Sequence, residues 1–301
     1  MHMHVNRIAR QLDALGPPVA SACVILACSC RSATAAPNDP RLCIKLMRRG
    51  TEEHRLQRRR LVLDEDAYLI LNGSTPCDSV YRGEHGAWPF AVFFGRGLLD
   101  EALRERLPDD DGPEAQGVCF LEHLRPHGDA VSQRLRALAR HVESGEHDRL
   151  WCDEQVTELL AEALRLEREL QQVSRRIASV KAATRRELLR RVLLASDFIC
   201  SHHDHAITLD DIAGAAGLSP FHLLRMFRQV HGVTPHAYLL AKRLLVAERL
   251  LQRTQMDLTE IAARSGFGTR WSLFRHLRRR RGAGGDALRQ RCDPAPCRIS
   301  A

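Results

Sequence analysis

The chain has 301 residues and a formal net charge of +8, with 44% hydrophobic and 27% charged residues. This length accommodates two domains of ordinary size, each with its own hydrophobic core. No apolar run approaches the roughly eighteen residues of a membrane span, so no membrane-spanning segment is expected. The positive charge fits a polyanionic partner but does not identify one.

The first 50 residues combine features of an export signal. Arg7 and Arg10 precede an apolar stretch at 19–30, and Ile25-Leu26-Ala27-Cys28 resembles a lipoprotein cleavage site. The C-terminal features described below have no use for export. We therefore expect residues 1–50 to be a disordered extension, or the product of a start codon assigned too far upstream, in a cytoplasmic protein.

The cysteines and histidines do not predict a metal site. Ten cysteines stand at irregular positions, as is typical of reduced thiols in a cytosolic protein. Cys28 and Cys30 are too close together for the usual zinc-ligand pair, and the other cysteines do not complete one. His202, His203 and His205 beside Asp204 are interpreted as a solvated loop. We expect neither metal nor cofactor.

Residues 51–125 have the pattern of short strands separated by turns. Leu61 to Leu63, Ala67 to Leu71 and Phe90 to Phe94 are rich in β-forming residues, and Asn72-Gly73 is a turn signal. This spacing predicts a small antiparallel barrel or sandwich. His85, Trp88 and Tyr81 are candidates to line its mouth, with a core or surface role as the alternative.

Residues 126–183 have helical periodicity. One helix carries Val131, Leu135, Leu138 and Val142 on one face and ends near Gly145. A longer helix from about 153 to 172 places Val156, Leu159, Leu160, Ala163, Leu166 and Leu170 on one side. Such a stripe is typical of a core or of a dimer contact. A third amphipathic helix, from about 184 to 200, leads into the C-terminal region.

A helix-turn-helix pattern occurs twice near the C-terminus, over residues 211–228 and 260–278. Ile212 and Ile261 stand where the two helices of each copy cross closely. Gly217 and Gly266 stand in the turns, where a positive φ is needed. Two copies in register are far more specific than one, and they predict a protein that reads two successive turns of DNA.

Aligning the two copies identifies equivalent residues. Ile212 aligns with Ile261, an offset of 49, whereas Leu223 aligns with Leu273, an offset of 50, so the second turn is one residue longer. We expect Leu223, Phe227 and Val230 to be buried in the first copy, and Leu273 and Leu277 in the second. The opposite faces pair Phe221 with Trp271, Leu224 with Phe274, Arg225 with Arg275 and Arg228 with Arg278.

These opposite faces are the predicted DNA contacts. Arginine can donate two hydrogen bonds to guanine or hold a phosphate, and aromatic rings can contact thymine methyl groups. Seven arginines and no acid lie between residues 262 and 285. We expect base-edge contacts from Phe221, Leu224, Arg225, Arg270, Trp271, Phe274 and Arg275, and phosphate contacts from Arg228, Arg278 and Arg279. The alternative for Phe221 and Phe274 is packing between helices.

A linker helix is predicted between the copies, from about 236 to 252, after Pro235. At a rise of 1.5 Å per residue it spans about 25 Å. This length is enough to hold two reading helices near the roughly 34 Å separation of successive major grooves.

The C-terminal pattern resembles the DNA-binding domain of the AraC/XylS family of bacterial transcription regulators over about residues 190–290. The matching residues are Gly217-Leu218-Ser219-Pro220, Gly232-Val233-Thr234-Pro235, Tyr238, Arg243-Leu244, Ala247, Leu250-Leu251, Ile261-Ala262 and Gly266-Phe267-Gly268. The chain departs from that pattern at Arg281, at Gly284-Gly285 and near Leu288, which predicts weaker packing of the last helix. Residues 64–94 are similar, more weakly, to the cupin-like ligand-sensing half of many members.

The resemblance implies an α+β chain with five parts. These are an extension at 1–50, a small cupin-like β-barrel at 51–125, a helical dimerisation segment at 126–183, an all-α domain of two helix-turn-helix motifs joined by a linker helix at 184–291, and a tail at 292–301. It further implies a homodimer that binds double-stranded promoter DNA, contacts RNA polymerase and responds to a small-molecule effector.

Two other functional classes were weighed. An enzyme with a metal in a cupin-like barrel is disfavoured, because His85 beside Glu84 lacks a His-x-His partner. A DNA-repair protein with a reactive cysteine would need a four-cysteine zinc module near the N-terminus, which the cysteine spacing does not supply. The sequence therefore favours a transcription regulator over an enzyme.

Overall fold

The computed structural model describes residues 4–8, 23–28, 30–35, 42–56, 59–73, 77–106, 120–145, 148–175, 177 and 181–281. The chain divides into two compact units, Met1–Asp197 and Phe198–Ala301. The first unit is mixed α and β, and the second is helical. In the described part of the chain, no helix is both long and apolar enough to cross a membrane.

Nine strands are described in the first unit. They are β1 (His4–Ile8), β2 (Val24–Cys28), β3 (Cys30–Ala35), β4 (Cys43–Arg49), β5 (Thr51–Leu56), β6 (Arg59–Leu63), β7 (Ala67–Leu71), β8 (Cys77–Phe93) and β9 (Leu124–Pro126). Helices α1 (Arg96–Arg106), α2 (Ala130–Ser144) and α3 (Arg149–Arg175) follow, with α4 (Ala182–Ser201) crossing into the second unit. Four strands lie within residues 1–50, so the structure differs from the disordered extension expected there.

The long strand β8 belongs to two sheets. Its first part pairs with β5 up to Arg82 and with β3 up to Ala87, and its second part, from Trp88, pairs with β4 and β2. The strand bends between these parts, where Gly86 has φ +93 and a Cβ on Gly83 would lie 2.3 Å from the Gly86 carbonyl oxygen. Glycine is required here because larger residues would clash.

The predicted barrel is wrong for the described strands. One sheet has the order β1-β2-β8-β4-β7-β9, and the other runs from β3 through β8 and β5 to β6. Each therefore ends in two edge strands and does not close on itself. In addition, β1 and β2, from the region where an extension was expected, pair in parallel. The pairing of β8 is divided between the two sheets.

One face of the first sheet is covered by α2 and α3. Strand residues such as Ile44, Tyr68 and Phe90 share a buried core with Val131 of α2 and Val156 of α3. The stripe predicted on α3 for core or dimer contact thus packs inside the chain's own core, where Val156, Leu159, Leu160 and Ala163 are fully buried. The helix ending near Gly145 is confirmed: Gly145 has φ +81 and caps α2.

A buried polar cluster lies on β4, β5 and β8. The Lys45 Nζ donates to Glu52 Oε1 at 2.7 Å, and Ser79 Oγ lies 3.1 Å from His54 Nδ1. Both Glu52 and His54 are fully buried. Burial alone would raise the pKa of Glu52, but His54 and Lys45 hold it below its usual value. Glu52 is therefore an ionised carboxylate in the protein interior, stabilised by its cation.

A second buried carboxylate, Asp197, joins α4 to the strands. The Leu124 N–H donates to Asp197 Oδ1 at 2.8 Å, and Arg59 Nη1 lies 3.6 Å from Oδ2. Burial raises the pKa of Asp197 to about 7, against the opposing effects of the Leu124 N–H, Arg59 and Arg125. Asp197 is thus bound to Leu124 of β9 within the first unit, and burial raises its pKa toward neutrality.

Five further helices lie in the described residues of the second unit, up to residue 281. They are α5 (Leu209–Ala216), α6 (Pro220–His231), α7 (Pro235–Arg253), α8 (Leu258–Arg264) and α9 (Arg270–Arg281). The 19 residues of α7 span about 28 Å. Leu244, Ala247 and Leu251 of α7 form one core with Ile261 and Leu273 of the second motif. The linker helix is therefore built into the second motif.

The turn of the second motif packs tightly against its neighbours. Gly266 has φ +79, and a Cβ there would lie 2.2 Å from the His203 carbonyl oxygen and 2.8 Å from Arg243 Nε. Arg243 donates from Nε to the His203 carbonyl and from Nη2 to the His205 carbonyl, both at 2.7 Å. The loop at 202–205, predicted to be solvated, is thus held by the linker helix.

Asp197→Asn is expected to flatten the pH dependence of stability. The folded state keeps the Asp197 proton up to a pKa of about 7, whereas the ordinary value is 3.8. Stability from this group is therefore full below pH 3.8 and is lost as the pH rises through 7. The asparagine retains an oxygen to accept from Leu124 but does not ionise. Urea unfolding at pH 5 and pH 8, followed by Trp88 and Trp151 fluorescence in a Trp271→Phe background, measures the effect. If the free energy of unfolding falls by the same amount between pH 5 and pH 8 in the wild type and in Asp197→Asn, this prediction is wrong.

Glycine substitutions should separate backbone strain from steric contact in the second unit. Gly232 has φ +71 with open space at its Cβ position, so Gly232→Ala should cost about 1–2 kcal/mol. Gly266→Ala adds the clash with His203 and should cost clearly more. Gly268→Ala, which has open space and no positive φ, is the control. Chemical unfolding followed by circular dichroism checks this order, and equal costs for Gly232→Ala and Gly266→Ala would rule out the clash.

Candidate nucleic-acid interface

The first motif is fixed by local capping. The Thr208 side chain accepts from the Asp211 N–H, and the Asp211 carboxylate accepts in return from the Thr208 N–H at 2.8 Å, forming a capping box at the start of α5. Gly217, with φ +62, ends that helix. Ser219 Oγ accepts from the His222 N–H and begins α6 with Pro220 in the first turn. These contacts set the direction of α6, which we call the first reading helix.

The second motif repeats this arrangement with a longer turn. Asp257 caps α8 by accepting from the Thr259 and Glu260 N–H groups at 2.6 and 2.8 Å. Thr269 Oγ1 accepts from the Ser272 N–H at 3.2 Å and begins α9, the second reading helix. Ser219 and Thr269 are offset by 50, whereas Gly217 and Gly266 are offset by 49. The predicted extra residue in the second turn is confirmed.

The inner faces of both reading helices are buried. Leu223 and Phe227 of α6, and Leu273 and Leu277 of α9, are fully buried, as predicted. Val230 is only half-buried, and Met226 takes the third core position of α6 instead. Each reading helix is therefore anchored by one face, which leaves the other face for contact with a partner.

The outer face of α6 presents an aromatic ring and two cations. Phe221 is 78% exposed, so it does not pack between helices, the alternative considered above. Arg225 and Arg228 are exposed, and Leu224 is half-buried. A partner that covers the Phe221 ring would remove apolar surface from water, and the two arginines beside it could pair with negative charge.

The outer face of α9 is built in the same way. Trp271 is 69% exposed, and the Arg270 guanidinium lies 5.5 Å from the centre of its ring. Phe274 is half-buried and meets Trp271 edge-to-face at 6.4 Å. The arginines at 275, 278 and 279 are exposed. All the predicted contact residues of the second motif therefore lie on α9, and of these Phe274 is half-buried whereas the others are exposed.

The charge on the second motif is strongly positive. Residues 261–281 contain seven arginines and no acid. Arg264 pairs with Glu260 at 3.1 Å, and Arg280 lies 4.0 Å from Glu248, so these two are partly compensated. Burial, together with Arg275 and Arg279, lowers the pKa of His276. The positive charge of α9 therefore comes from its arginines and not from its histidine.

Two further side chains lie beside Arg225 on α6 and were not among the residues predicted from the sequence. His222 is half-buried and Gln229 is exposed. They lie three residues before and four residues after Arg225, so helical spacing places them beside it. This helical spacing from Arg225 is the sequence signal that would have indicated both residues.

The histidines at 202, 203 and 205 are engaged locally. His202 Nδ1 and His203 Nδ1 lie 3.0 and 2.8 Å from the carbonyl oxygens of Phe198 and Cys200, and His205 Nδ1 lies 2.8 Å from Asp204 Oδ1. Within the described residues, no group of three or more His, Cys, Asp or Glu is placed to hold a metal.

The candidates for an effector site in the first unit are separated. Tyr81 is buried, whereas Trp88 is 45% exposed. The side chain of His85 lies outside the described residues, as do the departures from the family pattern at Gly284-Gly285 and Leu288. Tyr81 and Trp88 therefore do not share one solvent-exposed rim.

Comparison with known proteins identifies the C-terminal region. Residues 212–291 match the sequence model of a family described as a helix-turn-helix domain. The chain is 30% identical over 88 residues to the probable transcriptional regulator LumQ of Photobacterium leiognathi, covering 29% of this chain and 36% of that protein. It is 28% identical over 156 residues to the transcriptional activator RhaS of Citrobacter koseri, covering 52% and 53%.

The chain thus spans about half, or less, of the length of these relatives. Among solved structures, a transcriptional regulator with an AraC-type DNA-binding domain from Chromobacterium violaceum is 28% identical. The similarity covers 38% of this chain and 100% of that one, with a TM-score of 0.33. The resemblance predicted from the sequence is confirmed at the level of the domain: residues 212–291 match a helix-turn-helix domain, and the relatives that this region resembles are transcription regulators.

Proposed function

We propose that the chain is a sequence-specific, DNA-binding transcription regulator of the AraC family, and not an enzyme. The observation that carries this proposal is the pair of reading helices, each anchored by a buried leucine and each presenting an exposed aromatic ring with arginines at matched positions. Double-stranded promoter DNA offers both a charged backbone and apolar thymine methyl groups.

The two reading helices would enter successive major grooves. The linker helix α7 is about 28 Å long, close to the roughly 34 Å between successive grooves on one side of the duplex. Early positions on a reading helix reach deepest, so base-edge contacts are assigned to Phe221, Leu224 and Arg225, and to Arg270, Trp271, Phe274 and Arg275. Phosphate contacts are assigned to Arg228, Arg278 and Arg279.

Homodimerisation and contact with RNA polymerase complete the proposed regulator. A dimer would place four reading helices on a site with twofold symmetry. Because the apolar stripe of α3 up to Leu166 packs in or against the intramolecular core, the dimer contact is assigned to the half-buried Leu170 further along that helix.

We also propose that the buried cluster around Glu52 binds a small polar effector. Glu52 Oε2 is buried and makes no hydrogen bond within the described part of the chain. A buried carboxylate oxygen without a donor is costly, and a ligand hydroxyl or amine would supply one. Binding that differs between two conformations of the unit would then shift regulation.

Arg225→Ala and Arg275→Ala should weaken binding to the preferred site by about 1–3 kcal/mol each and relax specificity at one position. In contrast, Arg228→Ala and Arg278→Ala should weaken binding evenly across sequences and reduce the salt slope by about 1. Genome-wide footprinting with purified protein, followed by titrations at several salt concentrations, measures both. Arg140→Ala, which removes an exposed arginine of α2, is the charge control.

If Arg225→Ala weakens binding to all DNA sequences equally, Arg225 contacts a phosphate group and not a base edge. A wild-type protein without any preferred site above its non-specific binding at physiological salt would refute the proposed function.

Glu52→Gln should abolish stabilisation by an effector of this kind. Neutral polyols and aliphatic amines, tested as a panel on the full chain, are expected to include a ligand that raises the melting temperature of the wild type. At a concentration of 100 times its Kd such a ligand adds about 2.7 kcal/mol. Absence of any stabilising ligand, or equal stabilisation of Glu52→Gln, would contradict an effector site at Glu52.

A further inference from the structure

Arg243, in the middle of α7, holds the loop that follows α4. Its Nε donates to the His203 carbonyl and its Nη2 to the His205 carbonyl, both at 2.7 Å. Hydrogen bonds from a charged donor are about twice as strong as neutral ones. The side chain is half-buried, so water competes only partly for these carbonyls. Arg243 therefore ties the linker helix to residues 203–205.

The same arginine contacts the turn of the second motif. Gly266 lies so close that an added Cβ would approach Arg243 Nε to 2.8 Å and the His203 carbonyl oxygen to 2.2 Å. Three segments meet at this point: the loop after α4, the linker helix and the turn that leads into α9. The position of the second reading helix thus depends on the geometry around one guanidinium group.

The linker helix also holds the first motif, through Tyr238. Its ring meets Phe227 of α6 edge-to-face at 5.5 Å and lies 5.1 Å from the His231 ring. Tyr238 and Arg243 are five residues apart, or about 7.5 Å along the helix axis. One short stretch of α7 therefore contacts both motifs.

Apolar packing does not fill the space beside Arg243. A cavity of about 130 Å³ lies there, lined by Arg243 with Leu239, Phe267, Gly268, Ser272 and His276 among others. Side chains around such a space can shift, because contacts on one side are absent. The Arg243 hydrogen bonds therefore add a directional constraint to the apolar core that α7 shares with α9.

We infer that Arg243 is a positioning residue that fixes the spacing between the two reading helices on DNA. It acts through the 203–205 carbonyls and Gly266 and is not assigned a DNA contact. The inference rests on the proposed function, because spacing matters only if both helices bind one duplex. Rigid spacing makes a protein selective for half-sites at one separation.

Lysine cannot replace Arg243 in this role. Its ammonium group is a single nitrogen on a flexible stem, whereas the guanidinium presents donors in a fixed planar fork. Arg243→Lys therefore keeps the charge but loses the geometry, and Arg243→Gln loses both. Arg253→Gln removes a charge from the exposed end of the same helix and serves as the control.

The test measures affinity as a function of half-site spacing. Full-length protein is titrated with its preferred duplex, found by footprinting, and with duplexes carrying one base pair more or fewer between the half-sites. For the wild type and for Arg253→Gln, adding or removing one base pair between the half-sites should weaken binding at least about tenfold, or about 1.4 kcal/mol. For Arg243→Lys and Arg243→Gln, the penalty should fall to about threefold or less, or about 0.7 kcal/mol.

Each outcome bears on the inference. An unchanged spacing penalty in Arg243→Lys would overturn it, even if overall affinity falls, because loss of stability alone weakens all duplexes equally. If Arg243→Gln does not fold by circular dichroism, Arg243→Lys decides. A wild type that binds a preferred site but tolerates every spacing also overturns the inference and leaves the proposed function standing. A wild type without a preferred site refutes the proposed function itself.

Discussion

The helical unit depends on a linker helix that serves two motifs at once. Leu244, Ala247 and Leu251 of α7 are part of the core beneath the second motif, whereas Tyr238 contacts the rings of the first. A helix with contacts on both sides cannot rotate without breaking one set. The separation of the reading helices is therefore a property of α7 and its packing, and every proposed contact with DNA follows from it.

Most of this unit could be predicted, because its signals are local. The turn glycines and the buried residues Leu223, Phe227, Leu273 and Leu277 were expected from the sequence, and the structure places them so. The caps at Ser219 and Thr269 are local signals of the same kind. The role of Arg243 could not be predicted in this way. Its partners are backbone carbonyl groups about 40 residues earlier. Every residue type has a backbone carbonyl, so the sequence does not indicate which ones Arg243 binds.

The strand-rich unit was harder to predict for the same reason. Runs such as Ala67–Leu71 were recognised, but the pairing of strands is not local. The pair Gly83 and Gly86 allows β8 to bend from one sheet to another, and that bend replaces the expected barrel. Burial of Cys23 and Ile25 likewise ties the N-terminal residues to the core, although their composition resembled an export signal.

The two reading helices differ in how they would contribute to binding. Neither helix contains an acid, but α9 carries arginines at 270, 275, 278, 279, 280 and 281, whereas α6 carries only Arg225 and Arg228. Phosphate contacts by arginine release counterions and favour any sequence. Affinity for DNA in general should therefore come mainly from α9. Selection among sequences then depends more on α6, where Phe221 and Arg225 stand exposed with fewer charges around them. A rigid α7 would make the general affinity of α9 and the sequence selection of α6 act on one DNA site. Once α9 is bound to the phosphate backbone, the local concentration of bases near α6 is raised.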